Sequence, residues 1–317
     1  MKIAINAQAP LQTLYGKMMI PNWPKDLICR SLRQYGEWAE AEVELLAPLV
    51  MATDVVWDVG AYVGTFSLGL ARLAVPARIL AIDANAQVIA SLTANLYKNA
   101  PCPVRIVQTA VGETDGWLTK IEHKSDENYG STSYAKADWS APRTETGTIP
   151  CCRLRTLRAE HGDYDVLKLD IEGMEEDALR GDLDYLKQRQ PLIWLECNED
   201  ARSLKTWATM KWLGFEPVYL AFPAFRRNNF NEQRNLIYPM AYEAALLAAP
   251  LDRLQRLKGT VVGEDIIMRP VPTLSALRQA LYDTPRWSTA ELAQMSRPEL
   301  VARLVRLTHG KGIEEFI

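Results

Sequence analysis

Residues 54–71 read DVVWDVGAYVGTFSLGLA: an apolar run closing on Asp58, a turn holding Gly60 and Gly64, then an apolar helical stretch. This is the pattern of a parallel strand that stops where a helix begins. Such a junction turns unpaired N–H groups and the positive end of the helix toward whatever occupies the C-terminal edge of the strand. Gly60 reads as a bend made without a Cβ, and Gly64 as a close approach of helix and ligand. An ordinary buried strand, tight turn and helix cap is the plainer reading of the same glycines.

The dinucleotide fingerprint GxGxxG is not met, because Tyr62 and Thr65 stand where its second and third glycines belong. That disfavours a nicotinamide oxidoreductase. An acidic residue at the strand end repels a pyrophosphate but suits a cationic amino-acid group, and S-adenosylmethionine (SAM) carries one. A second strand over 79–82 leads into Asp83, about where a doubly wound fold places the carboxylate that binds ribose hydroxyls.

With 317 residues, 48% of them hydrophobic, the chain can bury a full core. A formal charge of −3 with dispersed basic residues offers no attraction to a phosphate backbone, so nucleic acid is not an expected partner. The five cysteines are odd in number and contain no CxxC, which indicates neither a disulfide framework nor a thiolate metal site and fits a reducing cytoplasm. No apolar run approaches the roughly 18 residues of a membrane span, and the N-terminus lacks the apolar core of a signal peptide. No membrane partner is expected, and the expected location is cytoplasmic.

Along the chain, residues 24–50 carry helical periodicity, broken at Gly36. Strand 55–59, helix 64–74, strand 79–83, helix 86–99 and strand 104–108 then alternate as parallel βαβ units do. The stretch 110–156 interrupts them and reads as an insertion of loops and short strands, such as 148–152. The alternation resumes with strand 165–169, one helix over 174–189, strand 192–196 and helix 202–213, stopped by Gly214. After Pro239 the pattern is of short helical pieces, with capping boxes at Ser288/Glu291 and Ser296/Glu299 and a last helix from about 297 to 307.

The segment YDVLKLDIEG delivers Asp170 and Glu172 to the sheet edge at which open α/β folds bind ligands. Each has a purely structural alternative: Asp170 as a turn cap, Glu172 as a partner of the next helix dipole. Glu196 ends the following strand as a third acid at this edge. Three acids without a histidine make an all-oxygen set, so a metal is left open and none is predicted. Methyl transfer from a sulfonium needs alignment of carbon and oxygen and exclusion of water, with a base to take the proton of a sugar-like hydroxyl. Asp170 and Glu172 are the candidates. His123, in the insertion, is a weaker one.

These residues resemble the FkbM family of SAM-dependent methyltransferases over roughly residues 14–238. The resemblance covers YGEWAEAEVELL at 35–46, DVGAYVGTFSL at 58–68, TAVGETDG at 109–116, GSTS at 130–133 and LKLDIEGMEEDALRG at 167–181. It implies an α/β fold: a Rossmann-like, doubly wound class I methyltransferase sheet of seven strands, with SAM as donor and O-methylation of sugars or secondary metabolites. By position it implies that Asp58, Gly60 and Gly64 surround the methionine moiety, that Tyr62 also binds the cofactor, that Asp83 binds ribose, that Gln108 and Ala110 adjoin adenine, and that Glu37 closes over the cofactor. The family usually has Asn at the position of Tyr62, Pro at that of Ala84, and Asp at that of Arg158.

The expected organisation is an N-terminal helical cap (1–50), a methyltransferase domain (51–240) and a C-terminal helical extension (241–317). The expected activity is SAM-dependent O-methylation of a small-molecule or glycan acceptor, with homo-oligomerisation left open. The alternative is a catalytically silent SAM-binding or scaffold protein that acts through its C-terminal helices.

Overall fold

The computed structural model describes residues 9–120, 134–136, 148–226, 228–234, 242–257, 266–284, 295–296 and 298–303. His123, the GSTS segment and the Ser288/Glu291 box lie outside them.

The chain enters through a hairpin the sequence did not signal, β1 (Leu11–Thr13) and β2 (Gly16–Met18). Helices α1 (Leu27–Tyr35) and α2 (Glu40–Leu46) follow, within the region of expected helical periodicity. Asp26 starts α1 by accepting the Cys29 N–H at 2.8 Å. The alternation then runs β3 (Val55–Val59), α3 (Thr65–Ala74), β4 (Arg78–Asp83), α4 (Ala86–Asn99) and β5 (Val104–Gln108). The insertion contains β6 (Ala110–Val111), β7 (Gly116–Lys120), β8 (Tyr134–Lys136) and β9 (Thr148–Cys152), which form a separate sheet ordered β6-β9-β7-β8. Helix α5 (Leu154–His161) leads back to β10 (Val166–Leu169).

The single helix expected over 174–189 is two, α6 (Glu175–Arg180) and α7 (Leu183–Arg189). Asp182 breaks it: its backbone leaves helical geometry, and its buried carboxylate accepts from Arg158 Nε at 2.7 Å. Strand β11 (Leu192–Glu196), α8 (Ala201–Trp212) and β12 (Val218–Pro223) complete the regular alternation.

Beyond residue 239 the structure corrects the expectation of helical pieces. Tyr242–Ala248 forms β13, and after a short helix α9 (Leu251–Leu254) the chain adds β14 (Ile267–Pro270) and then α10 (Leu274–Tyr282). The segment YEAALLA has helix-forming composition, but it is buried between two strands, and tertiary context overrides propensity. Among the described residues the central sheet therefore has eight strands, where seven were implied, ordered β14-β12-β13-β11-β10-β3-β4-β5, and it runs across the expected boundary at 240. β13 is antiparallel to both neighbours, whereas β5, β4, β3, β10 and β11 are mutually parallel. Residues 298–303 are helical, and Ser296 N donates to Glu299 Oε2 at 2.6 Å, the return half of the expected capping box.

Apolar layers cover both sheet faces. One is built on Leu167, Ile193 and the α6–α8 helices, the other on Val166, Leu192 and the α2–α3 pair. Among the described residues no helix is long and apolar enough to cross a membrane. Helix α9 buries no residue of its own and is tied to the sheet by Arg253, whose two terminal nitrogens reach the buried Asp54 at 2.7 and 2.9 Å. Arg253→Leu leaves that carboxylate buried and unmatched. It is expected to cost about 3 kcal/mol in urea denaturation, against near zero for an exposed control such as Arg278→Leu.

Candidate active site

The C-terminal ends of β3, β4, β10 and β11 open on one cavity of about 260 Å³. Gly60 makes its floor possible. Its φ is +87°, and a Cβ there would lie 1.8 Å from the Asp170 carbonyl oxygen. The next two residues tie the bend to β4. Ala61 N donates to Ile82 O at 3.1 Å, and Tyr62, itself at φ +51°, donates its N–H to Asp83 Oδ2 at 2.7 Å. The other oxygen of Asp83 accepts the Asn85 N–H at 2.7 Å. Burial pushes the Asp83 pKa up to about 6, against the pull of those two N–H groups.

Of the residues singled out in the sequence, Gly60, Tyr62, Asp83, Ala110, Asp170 and Glu172 line this cavity, as does Glu196. Glu37, Asp58, Gly64 and Gln108 are not in its wall. Gly64 serves the turn and the packing of α3 on α4, since a Cβ there would sit 3.1 Å from Leu96 and 3.2 Å from Leu92. Asp58 lies fully buried beneath the cavity and accepts Ser67 Oγ at 2.6 Å. Glu37 binds Arg226 through both oxygens, at 2.7 and 2.8 Å, and also accepts the Phe230 N–H at 2.9 Å. This clamp ties the α1–α2 corner to the chain after β12. Gln108 is exposed, and its successor Thr109 takes the place in the wall.

The acidic turn after β10 is built by Glu175, whose Oε1 accepts the N–H groups of Ile171 at 3.0 Å and Gly173 at 3.2 Å. The chain has already left the extended form at Glu172, which sits at φ +55° and whose carbonyl accepts Arg202 Nη1 at 3.2 Å. A non-glycine residue in this conformation stores strain, a feature that clusters at functional sites.

Several wall residues escaped the sequence reading. Trp38 and Glu42 come from the α1–α2 corner, Asn85 from the α4 cap, and Trp194 and Phe222 from β11 and β12. Beneath them lies Lys168, its side chain only 4% exposed, with Nζ 3.0 Å from Asp170 Oδ2 and 3.8 Å from Asp58 Oδ1. The only signal in the sequence was a charged residue inside an apolar strand. Glu42 accepts Trp194 Nε1–H at 2.6 Å, and its burial pushes the carboxyl pKa up to about 7 although the Lys168 charge pulls it down. Burial also lowers the Lys168 pKa, but Asp170, Asp58 and Glu42 outweigh it and keep the ammonium charged. Among the described residues no group of three His, Cys, Asp or Glu side chains is placed to hold a metal ion.

Residues 58–234 match the Methyltransferase FkbM domain family. No curated protein matches in sequence. Among solved structures, the chain is similar to the methyltransferase FkbM from Methylobacillus flagellatus KT, at 13% identity and TM-score 0.39, over 62% of this chain and 44% of that one. It is also similar to the precorrin-6y C5,15-methyltransferase from Geobacter metallireducens GS-15, at 16% identity and TM-score 0.38, over 66% and 87%. A third is fibrillarin from Aeropyrum pernix, at 9% identity and TM-score 0.39, over 67% and 76%. The parallel strands β5-β4-β3-β10-β11, with apolar layers on both faces, make an α/β, Rossmann-like fold. The chain belongs to the FkbM methyltransferase family, with SAM as its cofactor.

The residues present fit that cofactor. The donor and acceptor set at the end of β4 combines the Asp83 carboxylate with Asn85 Nδ2, a buried amide nitrogen that has no hydrogen-bond partner among the described residues.

The raised Glu42 pKa has a consequence for stability. The folded protein keeps this proton to higher pH than the unfolded chain does, so Glu42 stabilises the fold below about pH 4 and that contribution is lost as pH rises through about 7. Glu42→Gln keeps an acceptor for Trp194 and removes the titration. It is expected to be about 1–2 kcal/mol more stable than the parent at pH 8.5 and equal to it at pH 4, by chemical denaturation at both pH values.

Proposed function

We propose that this enzyme methylates a hydroxyl oxygen on a sugar, a glycan or a glycosylated small molecule. The observation that carries the reading is the pair of carboxylates, Asp170 and Glu172, on the wall of the same cavity that the ends of β3 and β4 form. A sugar hydroxyl is a poor nucleophile while protonated, and a carboxylate within hydrogen-bond reach is what its activation requires.

SAM supplies, when bound, an electrophilic methyl carbon. The protein's share is to bind, orient, exclude water and accept a proton. Each Asp83 oxygen accepts one backbone N–H, leaving lone pairs for the two ribose hydroxyls. Gly60 and Tyr62 form the bend that would hold the methionine end, and Thr109 and Ala110 would border the adenine end beyond β5. Trp38, Trp194 and Phe222 give the remaining wall flat apolar faces that exclude water from the reacting pair. Asp170 takes the proton that the acceptor hydroxyl loses as its oxygen bonds to carbon. Glu172 accepts a hydrogen bond from a neighbouring hydroxyl and fixes which oxygen is presented.

Two measurements test this reading. Asp83→Ala is expected to weaken SAM binding at least tenfold in calorimetry, because a buried pair of hydroxyls loses its acceptor. Asp170→Asn is expected to leave SAM affinity within about threefold while conversion of a sugar acceptor to its methyl ether, followed by mass spectrometry, falls about 100-fold or more. Full turnover by Asp170→Asn, or unchanged SAM affinity in Asp83→Ala, contradicts the assignment.

A further inference from the structure

We propose that Lys168 is a positioning residue of the site, its buried ammonium holding the Asp170 carboxylate ionised and turned into the cavity. The inference rests on the reading of Asp170 as the proton acceptor.

The geometry is that of a charge wired between core and cavity. Lys168 sits on β10, in register with Asp58 on β3 and with Trp194 on β11. Its side chain is 4% exposed, whereas that of Asp170, 3.0 Å away, is 42% exposed and lines the cavity. The ammonium also lies 4.9 Å from the centroid of the Phe66 ring, on α3, and 3.8 Å from Asp58. Asp170 is thus the half-exposed partner that joins this buried lysine to the cavity.

The charges around Asp170 make such a partner necessary. Asp58 from β3, Asp83 from β4, Glu42 from α2 and Glu175 from α6 all face it closely enough that its charge raises their own pKa values. Asp170 thus stands among four carboxylates from four different elements. Arg202, which also reaches the turn after β10, is turned to Asp200 and to the Glu172 carbonyl. Among the described residues, Lys168 is the cation paired with Asp170. Lys168 cannot itself act as the base, because the same carboxylates keep it protonated. A proton acceptor must start without the proton, so removing Lys168 disables Asp170 without touching it.

The test reads Asp170 directly and needs no acceptor. In the full-length protein labelled with ¹³Cγ-aspartate, the Asp170 resonance is assigned by its loss in Asp170→Asn and titrated with pH. In Lys168→Met its midpoint is expected to rise by about one pH unit or more, and Lys168→Arg is expected to restore it to within about half a unit of the parent. The double variant Asp58→Asn/Lys168→Met carries the same expectation and removes the carboxylate that the single change would leave buried and unmatched. An Asp170 midpoint that does not move in a folded Lys168→Met or double variant overturns the proposal. So does failure of Lys168→Arg to restore the midpoint. Wild-type turnover by Asp170→Asn instead removes the role of Asp170 as base, so the two failures are separately visible.

Discussion

The site depends on a contact that only an absent side chain allows. β3 and β10 run parallel and in register up to Val59 and Leu169, and just beyond them the Asp170 carbonyl occupies the space that a Cβ of residue 60 would fill. That close approach lets two strand ends meet over one cavity rather than diverge. It sets Asp170 beside the bend that carries Tyr62 and, through it, Asp83. The glycine therefore serves the protein's own backbone first, and whatever ligand binds uses the space that remains.

Above the apolar layer of Val56, Val166 and Leu192, the same three strands place Asp58, Lys168 and Trp194 side by side. This is a polar storey inside an otherwise apolar sheet. Buried charges are expensive unless matched, and here each is held: Asp58 by Ser67 and Lys168, Lys168 by Asp170 and the Phe66 face, Glu42 by Trp194. The sheet gives up hydrophobic packing at this level, and the wall above it gains fixed charge next to flat aromatic surface.

Much of this was legible in the chain, for physical reasons that differ by element. The apolar runs of β3, β4, β10 and β11 announced buried parallel strands, and the acids at their ends marked the ligand edge. Strand β13 was not legible, because alanine and leucine carry no period-two pattern when both faces are buried. The break between α6 and α7 depends on the buried Asp182 meeting Arg158, a residue 24 positions away. Within the site, residues on the strand–turn–helix motif were found by pattern, whereas Glu42 and Trp194 meet from positions 152 residues apart, which no local signal encodes. By position the family resemblance implies that Asp58 lies at the methionine moiety and that Glu37 closes over the cofactor; in the structure their carboxylates hold Ser67 and Lys168, and Arg226.

The antiparallel strand wedged between β11 and β12 also governs when the sheet can be completed. During synthesis β11 emerges with one edge unpaired, and its partner on that side arrives only after α8, β12 and the chain leading to Tyr242 have been made. At about 5–20 residues per second that interval lasts several seconds, during which an apolar strand edge is open to wrong partners. The half of the sheet that carries β3, β4 and β5 needs nothing from that late segment to pair. A nascent chain stalled before Tyr242 would thus present a nearly finished cofactor-side half fused to an unsealed, adhesive border.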